Sequence, residues 1–194
     1  MPTITALRSE RRGRVAVELD GAAWRTLPAD AVVRAGLSVG RTLERADLRR
    51  LRREVRRAEA LATASRALRA RDHSRQQLVE RLARADIAPA VREESLEVLT
   101  RAGFVDDARV AASRARALAE RGYGDEAIRL DLERKGIAPE LVEDALTQLA
   151  GELQRANLVV ARRGASSRTA RYLAGRGFSA DTVESAVAQR TGEE

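Results

Sequence analysis

The sequence is poor in the residues that most often carry chemistry. It contains no cysteine, which excludes disulfides, thiol nucleophiles and zinc sites built on thiolates. His73 is the only histidine, so a histidine-rich metal site is excluded, and we interpret His73 as a polar loop residue before a helix. No segment approaches the ~18 apolar residues of a membrane span, and the N-terminus has no apolar signal segment. We therefore expect a cytoplasmic protein that contacts no membrane.

Motifs for nucleotide binding and catalysis are also missing. There is no Gly-x-x-x-x-Gly-Lys-Ser/Thr loop and no glycine-rich dinucleotide fingerprint. Asp106 and Asp107 are adjacent acids, but neighbouring side chains on a helix point to different sides, so we interpret Asp106 as a helix cap rather than a metal ligand. The sequence therefore predicts no enzyme, no metal and no cofactor.

Aromatic residues are scarce, at 3% of the chain, whereas alanine, leucine and valine make up most of the 44% that is hydrophobic. Scarce aromatic residues together with an apolar set of this kind suit close helix packing better than a sandwich or barrel. The 194 residues are enough for one large or two small domains with a buried core. The composition predicts a mainly helical fold.

The charge is strongly positive and is carried almost entirely by arginine. The net charge is +7, and Lys135 is the only lysine. Residues 1–60 contain 14 arginines against 8 acids, whereas residues 102–150 contain 7 basic and 10 acidic groups. This asymmetry favours an anionic partner, either nucleic acid or an acidic protein groove.

The first segment, residues 1–43, predicts a small β-meander with a short helix. Val15, Val17 and Leu19 alternate at the period of a strand, and Asp20-Gly21 is typical of a two-residue hairpin turn. Short strands are expected on either side, within 4–7 and 23–27. Pro28 precedes a predicted helix over 29–35, which Gly36 ends.

From Glu44 the hydrophobic period becomes helical. An apolar stripe predicts one long helix to about Arg71, formed by Leu48, Leu51, Val55, Ala58 and Ala62. Its other faces are rich in arginine, namely Arg49, Arg50, Arg52, Arg53, Arg56 and Arg57. These arginines are either a solvated surface or a ridge that faces a polyanion.

The most specific feature is an internal repeat. A shift of 50 residues places 67–96 on 117–146 with ten of thirty positions identical, and a weaker third copy follows. Each copy divides into three helices: Ser74 with Gln77 predicts a capping box, and Pro89 and Pro139 predict helix starts. We expect three tandem three-helix repeats, over 44–101, 102–150 and 151–194, that form an elongated, curved molecule.

The motifs within these repeats resemble the RecX family from about residue 60 to 188. The resemblance is carried by the sequences of residues 71–78, 102–111, 121–124, 132–137 and 172–178. It implies a regulator, usually a negative one, that lies in the groove of the RecA filament on single-stranded DNA. Such a regulator alters ATP hydrolysis, strand exchange and filament assembly. We expect it to act as a monomer.

Recurring arginines are the candidate contacts with this partner. Arg71 and Arg121 end the first helix of two copies and Arg163 ends it in the third, which predicts one row along a common face. Tyr123 either stacks on a partner or covers the seam between repeats. Further arginines on the second helices could extend the row, namely Arg75, Arg129, Arg168 and Arg171. The alternative for all of them is a solvated surface or a helix C-terminal cap.

Two other functions are open on the residues alone. The arginine-rich helices could bind DNA directly, since guanidinium groups suit phosphate as well as carboxylate. The acidic middle segment interrupts a continuous basic stripe, so direct contact with bare DNA is expected to be weak. The repeats would also suit a helical scaffold that binds an unrelated protein partner. That function leaves the order of the motifs unexplained.

Overall fold

The computed structural model describes residues 1–191, and the side chains of residues 1–189. Within this part, three strands are followed by ten helices, which confirms the predicted fold class. The elements are β1 Ile4–Glu10, β2 Arg14–Leu19, β3 Ala22–Pro28, α1 Ala29–Arg34, α2 Arg45–Ala70, α3 Arg75–Arg84, α4 Pro89–Arg101, α5 Asp107–Glu120, α6 Asp125–Glu133, α7 Pro139–Thr147, α8 Glu152–Arg163, α9 Ser167–Gly175 and α10 Ala180–Thr191.

The chain divides into two compact units. The first comprises Met1–Arg71 with Leu78–Phe104, and the second comprises Asp72–Gln77 with the chain from Val105 onward. Residues 72–77 therefore belong to the second unit although they lie in sequence between the two parts of the first. The segment boundaries at residues 43, 101 and 150 stay a prediction.

The first unit is built on an antiparallel sheet of order β1-β2-β3. Asp20 and Gly21 both have positive φ, 49° and 82°, as a tight hairpin turn requires. The pairing of β2 with β3 shifts between Val17 and Glu18, so that Trp24 is the extra residue of a β-bulge. One face of the sheet packs on α1 and α2 around a buried core of Ile4, Val17, Leu27, Val32, Ala35, Leu37, Leu43 and Leu51.

The predicted apolar stripe of α2 is correct for the first half of the helix and wrong for the second. Leu51 is buried and Leu48 and Val55 pack against the core of the sheet, but Ala62 is exposed. The second half of α2 buries Ala60, Ala64 and Ala67 instead. The reason is that α2 packs on more than one neighbour: its first half covers the core of the sheet, and α4 also packs on the helix. The buried face therefore rotates along the helix.

The three copies of the repeat end their second helix in the same way. The backbone N–H groups of Ile87, Ile137 and Phe178 donate to the carbonyl oxygens five residues earlier, at 3.1, 3.2 and 3.2 Å. The preceding residue has positive φ in each copy: 55° at Asp86, 70° at Gly136 and 78° at Gly177. This is the Schellman geometry of a helix C-terminus. The sequence repeat is thus a repeat of local structure.

The predicted caps are present. Gln77 N–H donates to Ser74 Oγ and Ser74 N–H donates to Gln77 Oε1, both at 3.2 Å, which is the reciprocal capping box. Asp106 Oδ1 accepts from Arg109 N–H at 2.9 Å. His73 lies in the loop before α3, as predicted, but it is buried. Among the described residues, none of the helices is both long and apolar enough to cross a membrane.

Candidate functional site

The second unit is held together by two equivalent joints between helices of different repeats. In the first joint, the start of α3 packs on the turn that follows α6. Ser74 Oγ donates to the carbonyl oxygen of Lys135, and Arg75 N–H donates to Asp107 Oδ1 at 2.8 Å. The joint therefore satisfies backbone groups that a helix start leaves without an intrahelical partner.

The second joint repeats this arrangement one module later. The start of α6 packs on the turn after α9, where Gly124 N–H donates to the Arg176 carbonyl at 2.9 Å and Glu126 N–H to the Gly177 carbonyl at 3.1 Å. Asp125 N–H donates to Glu152 Oε1 at 2.8 Å. Asp125 corresponds to Arg75 in the 50-residue repeat, so the periodicity of the sequence recurs in the contacts between modules.

Buried charges fix the second joint. The Arg155 side chain is only 8% exposed; it donates to the carbonyl oxygens of Tyr123 at 2.7 Å and Ala150 at 2.9 Å, and it pairs with Asp125. Burial would raise the pKa of Glu152, but the hydrogen bonds from Asp125 N–H and Ser179 outweigh it and lower that pKa. Glu152 is thus kept ionised where two modules meet.

A continuous stack of arginines and tyrosines lies beside this joint, and we call it the Arg–Tyr ladder. The guanidinium carbon of Arg176 lies 4.5 Å from the centroid of the Tyr123 ring and 5.1 Å from that of Tyr172. Arg121 lies 5.7 Å from the Tyr123 ring, and Arg163 lies 4.0 Å from the Tyr172 ring. Both tyrosines of the chain take part, so the ladder runs Arg121–Tyr123–Arg176–Tyr172–Arg163.

The ladder presents positive charge on a preorganised framework. Arg121 and Arg163 are exposed, and the members between them are half-buried. In the part of the chain that the structure describes, no carboxylate pairs with the three arginines of the ladder. Stacking on the rings holds each guanidinium plane and leaves its N–H edges for hydrogen bonds. The arrangement suits an anionic surface bearing carboxylates or phosphates.

The structure brings together three of the predicted contact residues, namely Arg121, Tyr123 and Arg163. Arg129 is engaged elsewhere: it pairs with Glu126 at 2.8 Å and with Glu143 at 3.0 Å. The remaining candidates are not members of the ladder. Arg71 follows the C-terminus of α2 in the first unit, Arg75 begins α3, and Arg168 and Arg171 are exposed on α9.

Sequence reasoning missed Tyr172 and Arg176 as site residues. A signal for Arg176 exists, because the third copy of the repeat aligns it with Lys135 and thus with a basic position of the second copy. Tyr172 aligns with no aromatic residue. Arg155 was also missed, and nothing in its local sequence marks it as the buried anchor.

Clusters that could bind a metal ion are absent from the described residues. Within the described residues, no group of three or more histidine, aspartate or glutamate side chains has a suitable arrangement. The members of the ladder supply hydrogen-bond donors and aromatic faces.

Comparison with known proteins gives a family. A family model described as "RecX, second three-helix domain" matches residues 106–146, which contain α5, α6 and most of α7. The regulatory protein RecX of Halorhodospira halophila is 32% identical over 142 residues, which cover 68% of this chain and 88% of that protein. The chain belongs to the RecX family. The RecX protein of Acidithiobacillus ferrooxidans is 33% identical over 131 residues, covering 66% and 87% of the two chains.

Solved RecX structures have the same fold. One crystal structure of regulatory protein RecX superposes with a TM-score of 0.81 over 95% of this chain and 98% of that one, at 23% identity. RecX from Lactobacillus salivarius gives a TM-score of 0.63 at 20% identity, over 70% of this chain and 97% of that one. The resemblance to RecX inferred from the motifs is thereby confirmed.

Proposed function

We propose that this RecX-family chain is a negative regulator of RecA that binds in the groove of the RecA filament on single-stranded DNA. Binding there lowers ATP hydrolysis and impedes strand exchange and filament assembly. We also propose that the chain acts in the cytoplasm as a monomer, without catalytic activity or a cofactor.

The observation that carries the proposal is the Arg–Tyr ladder. A groove binder needs many modest polar contacts held in one register, and a stacked row of guanidinium groups supplies them with little loss of side-chain entropy on binding. Two of its members, Arg121 and Arg163, belong to the row that the repeat predicts, and a third, Tyr123, was predicted separately as a contact. We propose that the ladder is the centre of the contact, that Arg75, Arg168 and Arg171 of the same unit extend it, and that Arg71 of the first unit is a separate contact.

The joints beside the ladder support the same proposal. Gly124 and Glu126 donate backbone hydrogen bonds to the turn that carries Arg176, so the ladder spans two modules whose relative position is fixed by backbone contacts. A contact surface fixed in this way binds with a smaller ordering cost.

The test is single-stranded-DNA-dependent ATP hydrolysis by RecA with increasing amounts of the protein. We expect hydrolysis to fall at stoichiometric amounts. The variant Arg121→Glu/Arg163→Glu reverses the charge at both exposed ends of the ladder. It should require at least about tenfold more protein for the same inhibition of ATP hydrolysis, since loss of close interfacial charge pairs costs about 1.5 kcal/mol or more of binding free energy.

The matched control is Arg116→Glu, an exposed arginine on α5 outside the ladder. It should inhibit as the unaltered protein does. An unchanged rate of ATP hydrolysis, together with tight and salt-resistant binding of bare DNA, would contradict RecA regulation and favour a direct DNA-binding module.

A further inference from the structure

The first unit contains an open cleft between β3 and the first half of α2, on a different unit from the Arg–Tyr ladder. It measures about 620 Å³. Its floor is apolar, formed by Leu27, Leu48, Leu51 and Val55, and its rim carries Trp24, Arg25, Arg52, Arg56 and Glu59. A flat aromatic side chain thus stands beside several cations.

The β-bulge explains how Trp24 comes to line this cleft. Val17 pairs with Arg25 and Glu18 with Ala23, so Trp24 lies between two paired residues without a partner of its own. A bulge changes the direction of the side chain at the extra position. Here Trp24 packs against the core between the sheet and α2 and stays half-buried, and the Arg25 guanidinium lies 5.7 Å from its ring centroid.

A line of arginines on α2 leads into the cleft, and we call it the arginine ridge. It consists of Arg45, Arg49, Arg52 and Arg56, which are all exposed and spaced by four, three and four residues. This spacing puts them on one face of the helix, about 5 Å apart along its axis. Arg56 pairs with Glu59 at 3.2 Å, whereas no carboxylate among the described residues pairs with Arg45, Arg49 or Arg52.

We propose that this cleft is a binding site for single-stranded nucleic acid, in which a base stacks on Trp24 and the neighbouring phosphates lie along the arginine ridge. An aromatic platform beside a row of cations is the combination that binds single strands without sequence preference. In a duplex the bases are already stacked and paired, so their faces cannot reach Trp24. The proposal does not depend on RecA or on the ladder.

The chain offers its own reporter, because Trp24 is the only tryptophan. The full-length protein is titrated with a 12-mer of deoxythymidine, a 12-mer of uridine, an abasic 12-mer and a 12-base-pair duplex. Binding of either base-bearing strand should quench Trp24 emission. The strand that binds with the higher affinity shows whether the natural ligand is DNA or RNA. The abasic strand and the duplex should leave the emission unchanged.

The arginine ridge predicts the salt dependence of this binding. Three or four phosphate contacts on a single strand give a slope of log K against log salt of about −2 to −3. Arg52→Glu should reduce the slope by about 0.7 and weaken binding about fivefold or more at 0.1 M salt. The matched control is Arg66→Glu, which reverses an exposed arginine about 21 Å further along α2.

Variants of Trp24 test the stacking. Trp24→Ala should weaken binding of a labelled strand, followed by anisotropy, by about 5- to 100-fold. Trp24→Phe keeps an aromatic ring at this position and should lose less binding affinity than Trp24→Ala. Unchanged Trp24 emission with both base-bearing strands, equal losses for Arg52→Glu and Arg66→Glu, or equal quenching by the abasic strand or the duplex would each overturn the proposal.

Discussion

Gly124 lies where the packing leaves no room for a side chain. A Cβ atom at this position would lie 2.3 Å from both the Gly177 carbonyl oxygen and the Phe178 nitrogen. Both obstacles are backbone atoms of the second joint, so no side-chain rotation can make room. Its φ is −80°, a value open to any residue, and glycine is therefore required by contact rather than by backbone conformation.

Gly124→Ala should lower the free energy of unfolding by about 3 kcal/mol, the upper end for overpacking a close contact. Gly151→Ala is the matched control, since Gly151 is also an N-cap glycine with negative φ but a Cβ there would meet no atom within 4 Å. It should change stability by no more than about 0.5 kcal/mol. Urea unfolding measures both, and equal losses would contradict the close approach.

Asp131 makes a bidentate pair with Arg114, at 2.8 and 2.9 Å. The hydrogen bonds from Arg114 hold the pKa of Asp131 below its ordinary value of 3.8. Because the folded pKa is lowered, the stabilisation is present above about pH 4 and is lost as the pH falls through the folded value.

Asp131→Asn should therefore cost about 1 kcal/mol near pH 7, a modest figure because both side chains remain partly exposed. The difference from the unaltered protein should shrink towards zero near pH 2. Urea unfolding at the two pH values checks this, and a difference that grows on acidification would contradict the lowered pKa.

At the scale of elements, carboxylates of other modules accept hydrogen bonds from the first backbone N–H groups of α3 and α6. Asp107 at the start of α5 accepts from Arg75 N–H, and Glu152 at the start of α8 accepts from Asp125 N–H. A carboxylate near the N-terminus of a helix is also favoured by the helix dipole. The elements thus stabilise one another through their ends as well as through their apolar faces.

Glu152→Ala should cost about 2 kcal/mol, the usual loss for hydrogen bonds to a charged group. The amides of Asp125 and Ser179 should then exchange hydrogen about 30-fold faster. Glu133→Ala, which removes an exposed glutamate at the end of α6, is the control and should leave both amides unchanged. Native-state hydrogen exchange measures the rates, and equal protection in the two variants would exclude the joint as a source of stability.

The helix ends were predictable because their causes are local. The capping box of Ser74 and Gln77 and the cap at Asp106 involve residues three positions apart, so the pattern shows in the sequence. The apolar stripe of α2 was predicted only in part, since one period cannot describe a helix that buries different faces along its length. Ion pairs between helices are likewise not visible in the local sequence. Arg129 lies on α6, whereas its partner Glu143 lies on α7.

At the scale of the whole molecule, the two candidate binding surfaces lie on different compact units. The Arg–Tyr ladder belongs to the second unit and the Trp24 cleft to the first. Each is formed by residues of its own unit alone, so we expect variants of one surface to leave binding at the other unchanged.

The protein should be a monomer in solution. A chain of 21.2 kDa should elute as one species of that mass in size-exclusion chromatography with light scattering. The mass should not change over a hundredfold range of concentration, because the stacked repeats need no second copy to bury their cores. A mass near 42 kDa, or one that rises with concentration, would contradict the monomer.

The sequence by itself determined the elements, their caps and the repeat. These follow from contacts between residues a few positions apart and from the period of the apolar residues, which the linear order contains directly. The tertiary structure alone decided the Arg–Tyr ladder, because Arg121 and Arg176 are 55 residues apart and meet only when two modules dock. It also decided the Trp24 cleft, because the extra residue of a bulge depends on how two strands pair.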